Sequence, residues 1–316
     1  MNKEEFNIGH LSTAYHTNFL LMQRGIFERD IGKKINWMLF GTGPAMIQAF
    51  KEGKLDMGYM GLPPATIGID QGVPIKCVAG GHVEGTIMAG KEKYKSLDQF
   101  NDNFSETLSQ FRGKSVGVTS KGSIHEVIIS KYLNETSLVD EIDLRCYKQA
   151  EFIALDMYKG KIEAGVGTPS LAVFASTLLN SRVIIPSNKL WDYNPSYGVF
   201  FHEDVINNSP EIIMTFLRCH KRASRFLREN PKRASEYVSD VFKIVESEFI
   251  NDVLNLSPKY CIALPEEYIK STMEFTETLY KLGYINNRLQ VEDIFNFDFI
   301  KDAHPEEHHY VESTIP

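Results

Sequence analysis

The chain has 316 residues, 43% hydrophobic and 24% charged, with a net charge of −7. That length exceeds the usual single domain and supplies a large core, so two lobes are expected. The acidic balance argues against nucleic acid as a partner, and no apolar run approaches the roughly 20 residues that span a bilayer.

Up to about Gly90, short strands alternate with helices, with strands at residues 7–11, 35–40, 57–60, 75–80 and 86–89. That alternation implies right-handed βαβ units and a mostly parallel sheet. Residues 91–111 are polar and read as a crossing segment, with Asn101-Asp102-Asn103 as a surface insertion. A second α/β unit follows, with strands at 115–119, 143–146, 164–167 and 183–185. Residues 191–198 (WDYNPSYG) are turn-rich and are expected to return the chain to the first lobe. From Pro210 onward the pattern is helical. Ile212, Ile213, Phe216, Leu217, Ala223 and Phe226 give it a core face, and Arg218, Lys221, Arg222, Arg225 and Arg228 a solvated one. Residues 303–316, which hold His304, His308 and His309, read as a tail without a functional metal site.

Cys77, Cys146, Cys219 and Cys261 are widely separated and form no C-x-x-C pair. Cys77 and Cys146 fall in apolar strand patterns and are expected to be small buried hydrophobes, without a disulfide.

The most informative stretch runs from Thr42 to Gly81. Thr42-Gly43-Pro44 starts a helix: threonine suits the cap, and proline in the first turn forfeits an amide that has no helical partner. Met46, Ile47 and Phe50 give it a core face, and Gly53 stops it. A short apolar strand then opens onto Gly61-Leu62-Pro63-Pro64, which gathers backbone amides at the carboxyl end of a sheet. In open α/β sheets ligands bind along that edge. The segment holds no nucleophile, general base or metal cluster.

Elsewhere there is no Walker loop, H-E-x-x-H, G-x-S-x-G or G-x-G-x-x-G. Ser120-Lys121-Gly122-Ser123 follows a strand and opens a helix, whose first amides lack partners and carry the positive end of the macrodipole. Two hydroxyls and a glycine there suit an anion cradle. The neighbouring His125 and Glu126 do not point at Ser123 in a way that would make a hydrolase.

The stretch EGKLDMGYMGLPPATIGIDQGVPIKCVAGG resembles the solute-binding proteins of ABC importers for nitrate, sulfonates, taurine and thiamine precursors. Similar pieces occur in order along nearly the whole chain: residues 7–11 with 19–27, 111–118 with 120–123, 158–166, 282–285 and 293–295. The resemblance implies a type II periplasmic-binding-protein clamshell, with mixed, mostly parallel sheets flanked by helices and a helical C-terminal segment. One lobe would comprise residues 1–92 and 198–316, the other residues 93–197, with a ligand cleft between them. It implies a monomer that closes by hinge motion on a small anionic or planar solute and docks on a membrane permease, without a cofactor.

The resemblance also completes the candidate site. Ser12, Thr13, Tyr15 and His16, after the first strand, would line the cleft, and Thr168, after the strand ending at Gly167, would contribute. Gly81 fits close backbone approach, with His82 and Glu84 beside it as surface residues. Tyr197 and Trp191 read as aromatic walls or as packing. Such a chain is extracytoplasmic if a leader preceded it, and otherwise cytoplasmic. Two alternatives keep the fold: an enzyme of the menaquinone-pathway or pyrimidine-synthase type, and a cytosolic sensor. Met60 and Pro64 stand where the synthases carry a cofactor-bearing lysine and a histidine, which argues against that enzyme.

Overall fold

The computed structural model describes residues 5–310. The chain begins β1 (Glu5–Leu11), α1 (Asn18–Arg24), α2 (Ile26–Ile31), β2 (Lys34–Phe40), α3 (Gly43–Lys51), β3 (Met57–Met60), α4 (Leu62–Asp70) and β4 (Ile75–Val83). It continues through β5 (Ile87–Lys91), α5 (Phe104–Ser109), β6 (Ser115–Thr119), α6 (Ile124–Glu135), β7 (Asp143–Tyr147) and α7 (Glu151–Tyr158). Then come β8 (Ala164–Gly167), α8 (Pro169–Leu178), β9 (Ser181–Ile185), α9 (Ser187–Leu190) and β10 (Pro195–His202). The rest is helical: α10 (Glu203–Asn208), α11 (Pro210–Glu229), α12 (Pro231–Phe242), α13 (Ser247–Leu256), α14 (Glu266–Lys281), α15 (Val291–Ile294) and α16 (Ile300–Ala303). None of these helices is long and apolar enough to cross a membrane.

Two five-stranded sheets result, in the orders β2-β1-β3-β10-β4 and β7-β6-β8-β5-β9. The orders correspond strand for strand. In each, three parallel strands are followed by one antiparallel strand, β10 or β5. Those two are the strands that follow a passage from one sheet to the other. Each sheet therefore owns one strand delivered by the opposite half of the chain.

Three sequence expectations change here. The strand expected at residues 86–89 does not belong to the first lobe; as β5 it pairs with β8 and β9 in the second sheet. The WDYNPSYG segment is not all turn, because Pro195 to Gly198 begin β10, which is sandwiched between β3 and β4 with Tyr197, Val199, Phe200 and Phe201 fully buried. Burial there overrides the turn propensity of Pro and Gly. Residues 303–310 do not trail away: Ala303, His304 and Tyr310 are buried, and the Tyr310 hydroxyl donates to the carbonyl of Cys261 at 2.7 Å. The last part of the expected tail, 311–316, lies outside the described residues.

The four cysteines are free thiols. Cys77 is buried as expected, but Cys146 is exposed because β7 is an edge strand of its sheet. The first lobe's core unites β1, β3, β4 and β10 with the apolar face of α11, including Ile213, Phe216 and Leu217. α14 reaches into the second lobe, where Phe275 stacks on Trp191 at 3.8 Å between ring centroids. Trp191 Nε1 donates to Ser271 at 3.0 Å, so this tryptophan packs and does not wall the cleft.

Candidate functional site

A cavity of about 60 Å³ lies where the carboxyl edges of the two sheets face each other. Its rim is built from helix starts. Thr42 and Gly61, the N-caps of α3 and α4, come from the first lobe. Ser123, Ala150 and Thr168, the N-caps of α6, α7 and α8, come from the second. Each helix has eight or more residues and turns the positive end of its dipole toward the cavity. Free first-turn amides are fewer, because Pro44, Pro63, Pro64 and Pro169 have no N–H, and Phe152, Ile153 and Leu171 donate to the carbonyls of Gln149, Ala150 and Thr168.

Sequence and packing explain why these starts stay open. Thr42 was expected to cap α3, yet its side chain makes no cap hydrogen bond, and neither do those of Ala150 and Thr168. Ser123 does cap, accepting from the Glu126 amide at 3.3 Å while Thr119 Oγ1 donates to it at 2.7 Å. Gly43 is required by close approach: a Cβ there would sit 2.5 Å from Pro64 Cγ, driving α3 away from α4.

Among the described residues, none of the cavity's lining side chains is a carboxylate, a lysine or an arginine. The two lining histidines are neutral. Burial lowers the pKa of His125 to about 4. His16 is held well below the usual range by burial, then by His10, His82 and His220. His16 Nδ1 is buried without a hydrogen-bond partner. An orphaned ring nitrogen of this kind is costly unless something completes it.

Beneath the cavity lies a polar chain of fixed direction. His82 Nε2 is 2.7 Å from the Ser257 carbonyl, which only accepts, so Nε2 carries the hydrogen. Burial takes the His82 pKa down to about 3, so its Nδ1 is bare and accepts from Ser196 Oγ at 3.0 Å. Ser196 Oγ in turn accepts from the Gly85 amide at 2.5 Å. The Tyr15 ring lies 4.5 Å from His82, and His16 lies 4.1 Å from Tyr197. His82 and Glu84 are thus not the surface residues expected; both are buried, and Glu84 pairs with Lys259 at 2.8 Å.

The structure brings Ser12, Thr13, Tyr15, His16, Thr42, Gly43, Gly61, Ser123 and Thr168 together around the cavity. It leaves the other candidates outside the lining. Leu62 is fully buried in the core of α3 and α4, and Tyr197 lies in the aromatic layer under the cleft. Gly81 serves that layer, since a Cβ there would fall within the Tyr197 ring. Lys121 and Gly122 turn away: the Gly122 amide donates to Glu126 Oε2 at 3.0 Å, and exposed Lys121 lies over the Tyr284 ring. Ser120 is outside the lining, and its Oγ is buried without a hydrogen-bond partner. Thr86, Thr119 and Ser196 line the cavity without having been singled out, and His125, weighed from sequence only as a catalytic partner and set aside, lines it too. Thr119 and His125 flank a recognised helix start, which was a usable signal; nothing local marked Ser196.

A two-lobed α/β molecule with this strand order and a cleft between its sheets has the type II periplasmic-binding-protein fold. The chain belongs to the NMT1-like family, whose profile matches residues 1–241. It is 22% identical over 282 residues to a Bacillus subtilis (strain 168) protein provisionally named an aliphatic sulfonates-binding protein, covering 88% of this chain and 80% of that one. The alkanesulfonate-binding protein SsuA of Xanthomonas axonopodis pv. citri, solved bound to MOPS, superposes with a TM-score of 0.79 at 14% identity. That match covers 93% of this chain and 99% of the other. The periplasmic aliphatic sulphonate binding protein SsuA of Escherichia coli gives 0.77 at 16% identity, covering 100% and 97%. All three of these relatives are named as binding proteins.

Proposed function

We propose that this chain is the extracytoplasmic solute-binding component of an ABC importer and takes a small anion of the sulfonate class between its lobes. One observation carries the reading: five helix N-caps, from both lobes, converge on a cavity lined by no charged side chain. Amide dipoles and hydroxyls neutralise an anion there without a formal counter-charge. His16 Nδ1 would supply a further donor, and the small cavity suits a compact anionic head. The sulfonate-binding names of the relatives support that class.

In this reading a monomer works as two lobes, residues 1–92 with 198–316 and residues 93–197, with β5 moved to the second and residues 195–197, the start of β10, to the first. They swing about the two passages at 84–86 and 191–194. Ser12 Oγ, which donates to Glu151 Oε1 across the rim at 2.8 Å, would latch the closed form that the permease receives.

Thermal and urea unfolding with methanesulfonate, nitrate and neutral dimethyl sulfone tests the reading. An anion at a hundredfold excess over its Kd should add about 2.7 kcal/mol, and the sulfone nothing. Equal responses to sulfone and sulfonate would remove charge recognition, and no response to any anion would remove the proposal.

A further inference from the structure

Away from the cleft, three soft donor atoms meet at the back of the first lobe. Cys261 lies between α13 and α14, and His304 and His309 follow α16. Cys261 Sγ is 3.3 Å from His304 Nε2 and 3.5 Å from His309 Nδ1. The three donor atoms lie within 4.8 Å of one another. Cys261 and His304 are buried and His309 is half-buried.

We propose that Cys261, His304 and His309 bind a zinc-type divalent ion that ties the C-terminal segment to the first lobe. In a tetrahedral zinc site, bonds of about 2.3 Å to sulfur and about 2.0 Å to nitrogen put each sulfur about 3.5 Å from each nitrogen. Both sulfur–nitrogen separations already match. The nitrogen–nitrogen edge, within 4.8 Å in the structure, has to reach about 3.3 Å when the ion binds. His304 is set in the tautomer that metal binding needs. Its Nδ1 is 3.0 Å from the Glu306 carbonyl, so Nδ1 carries the hydrogen and Nε2 directs a lone pair toward the sulfur. An outer bond from a ligating imidazole to a backbone carbonyl is the arrangement that fixes metal-binding histidines.

The fourth position has two suppliers. Glu306 Oε1 lies 3.7 Å from His304 Nε2, and an adjoining cavity of about 320 Å³ admits water. The cations around that cavity are mostly compensated. Lys221 pairs with Glu306 at 2.5 Å, Arg225 pairs with Glu229 at 2.7 Å, and Arg228 donates to the Tyr260 carbonyl at 2.6 Å. Binding converts the Cys261 thiol to a thiolate and releases its proton to solvent. The sequence separation of 43 residues between Cys261 and His304 makes the ion a cross-link that restricts the unfolded chain.

The test uses the full chain stripped with a chelator, then titrated with zinc by calorimetry and with cobalt by absorption. The expected result is one ion per chain, with a thiolate-to-cobalt charge-transfer band in the near ultraviolet. Cys261→Ser should abolish the band. His309→Ala, with its metal-free melting temperature measured alongside as the control for folding, should weaken zinc by more than about tenfold, the loss that even an outer-shell partner causes. Absence of the cobalt band in the unaltered chain would overturn the site. So would zinc affinity unchanged in His309→Ala, which would show that His309 does not ligate the ion.

Discussion

The backbone N–H of Glu84 donates to the carbonyl oxygen of Asn194 at 2.6 Å, so the two passages between the sheets are bonded side by side. Both are locally strained: Glu84 has φ 60° and Tyr193 has φ 52°, in the left-handed region that side chains disfavour. The Glu84 side chain is only 5% exposed and pairs with Lys259, itself 15% exposed. The ion pair therefore helps hold a conformation that local preference opposes.

Glu84→Gln keeps the shape of the side chain and removes its charge. Breaking a buried pair from one side costs about 3 kcal/mol, and urea unfolding should read a loss of that order. A cost below about 0.5 kcal/mol would show that the pair does not brace the passage.

Gly43→Ala tests the approach of α3 to α4. The added methyl meets Pro64 at 2.5 Å to Cγ and 3.0 Å to Cβ, both in the rigid ring. Overpacking of this kind costs about 1–3 kcal/mol and displaces the Thr42 and Gly61 ends together. The variant should melt lower and bind methanesulfonate more weakly. Binding unchanged at a lowered melting temperature would separate the α3–α4 contact from the site.

Much of the fold was legible because its signals are local. The strands at 57–60, 115–119 and 164–167 appear with the bounds read from apolar runs between glycine stops. The helix starts at Thr42, Ser123 and Thr168 were readable from cap residues after strand ends. What escaped was decided by distant contact. The sheet that β5 joins depends on partners at residues 164–167 and 181–185, and the burial of His82 depends on Ser257 and Tyr260. Ser196 reaches the cleft only because β10 runs antiparallel beside β4. No window around any of these residues contains that information.

The neutral histidines give a pH dependence of definite sign. The pKa values of His82, His125 and His220 are lowered from 6.5 to about 3, 4 and 4, first of all by burial, and that of His16 is also depressed. Below pH 6.5 the unfolded chain takes up protons at these sites that the folded chain refuses. Their full contribution is present above pH 6.5 and is lost as the pH falls toward 4 and then 3. Each depressed histidine contributes a slope of about 1.4 kcal/mol per pH unit within its window. Urea unfolding between pH 7 and pH 5 should show stability falling with acidity, and His125→Gln should reduce the slope by one share. A flat profile would mean that these rings take up protons in the folded chain.

Ser123→Asp separates stability from recognition. Aspartate caps a helix as well as serine does and favours the positive end of the dipole, so α6 should remain as stable or gain a few tenths of a kcal/mol. The Thr119 hydroxyl, which donates to Ser123 Oγ at 2.7 Å, can donate equally to a carboxylate. The same change places a full negative charge in the cavity wall, where no cationic side chain among the described residues offsets it. An anion entering must then be brought against a like charge in a partly desolvated cleft, at a cost of about 3 kcal/mol or more, which is over a hundredfold in affinity. Calorimetric titration with methanesulfonate beside a thermal melt reads both effects. Retained melting with binding lost by that factor is the expected pair of results. Retained melting with unchanged affinity would place the anion away from the start of α6.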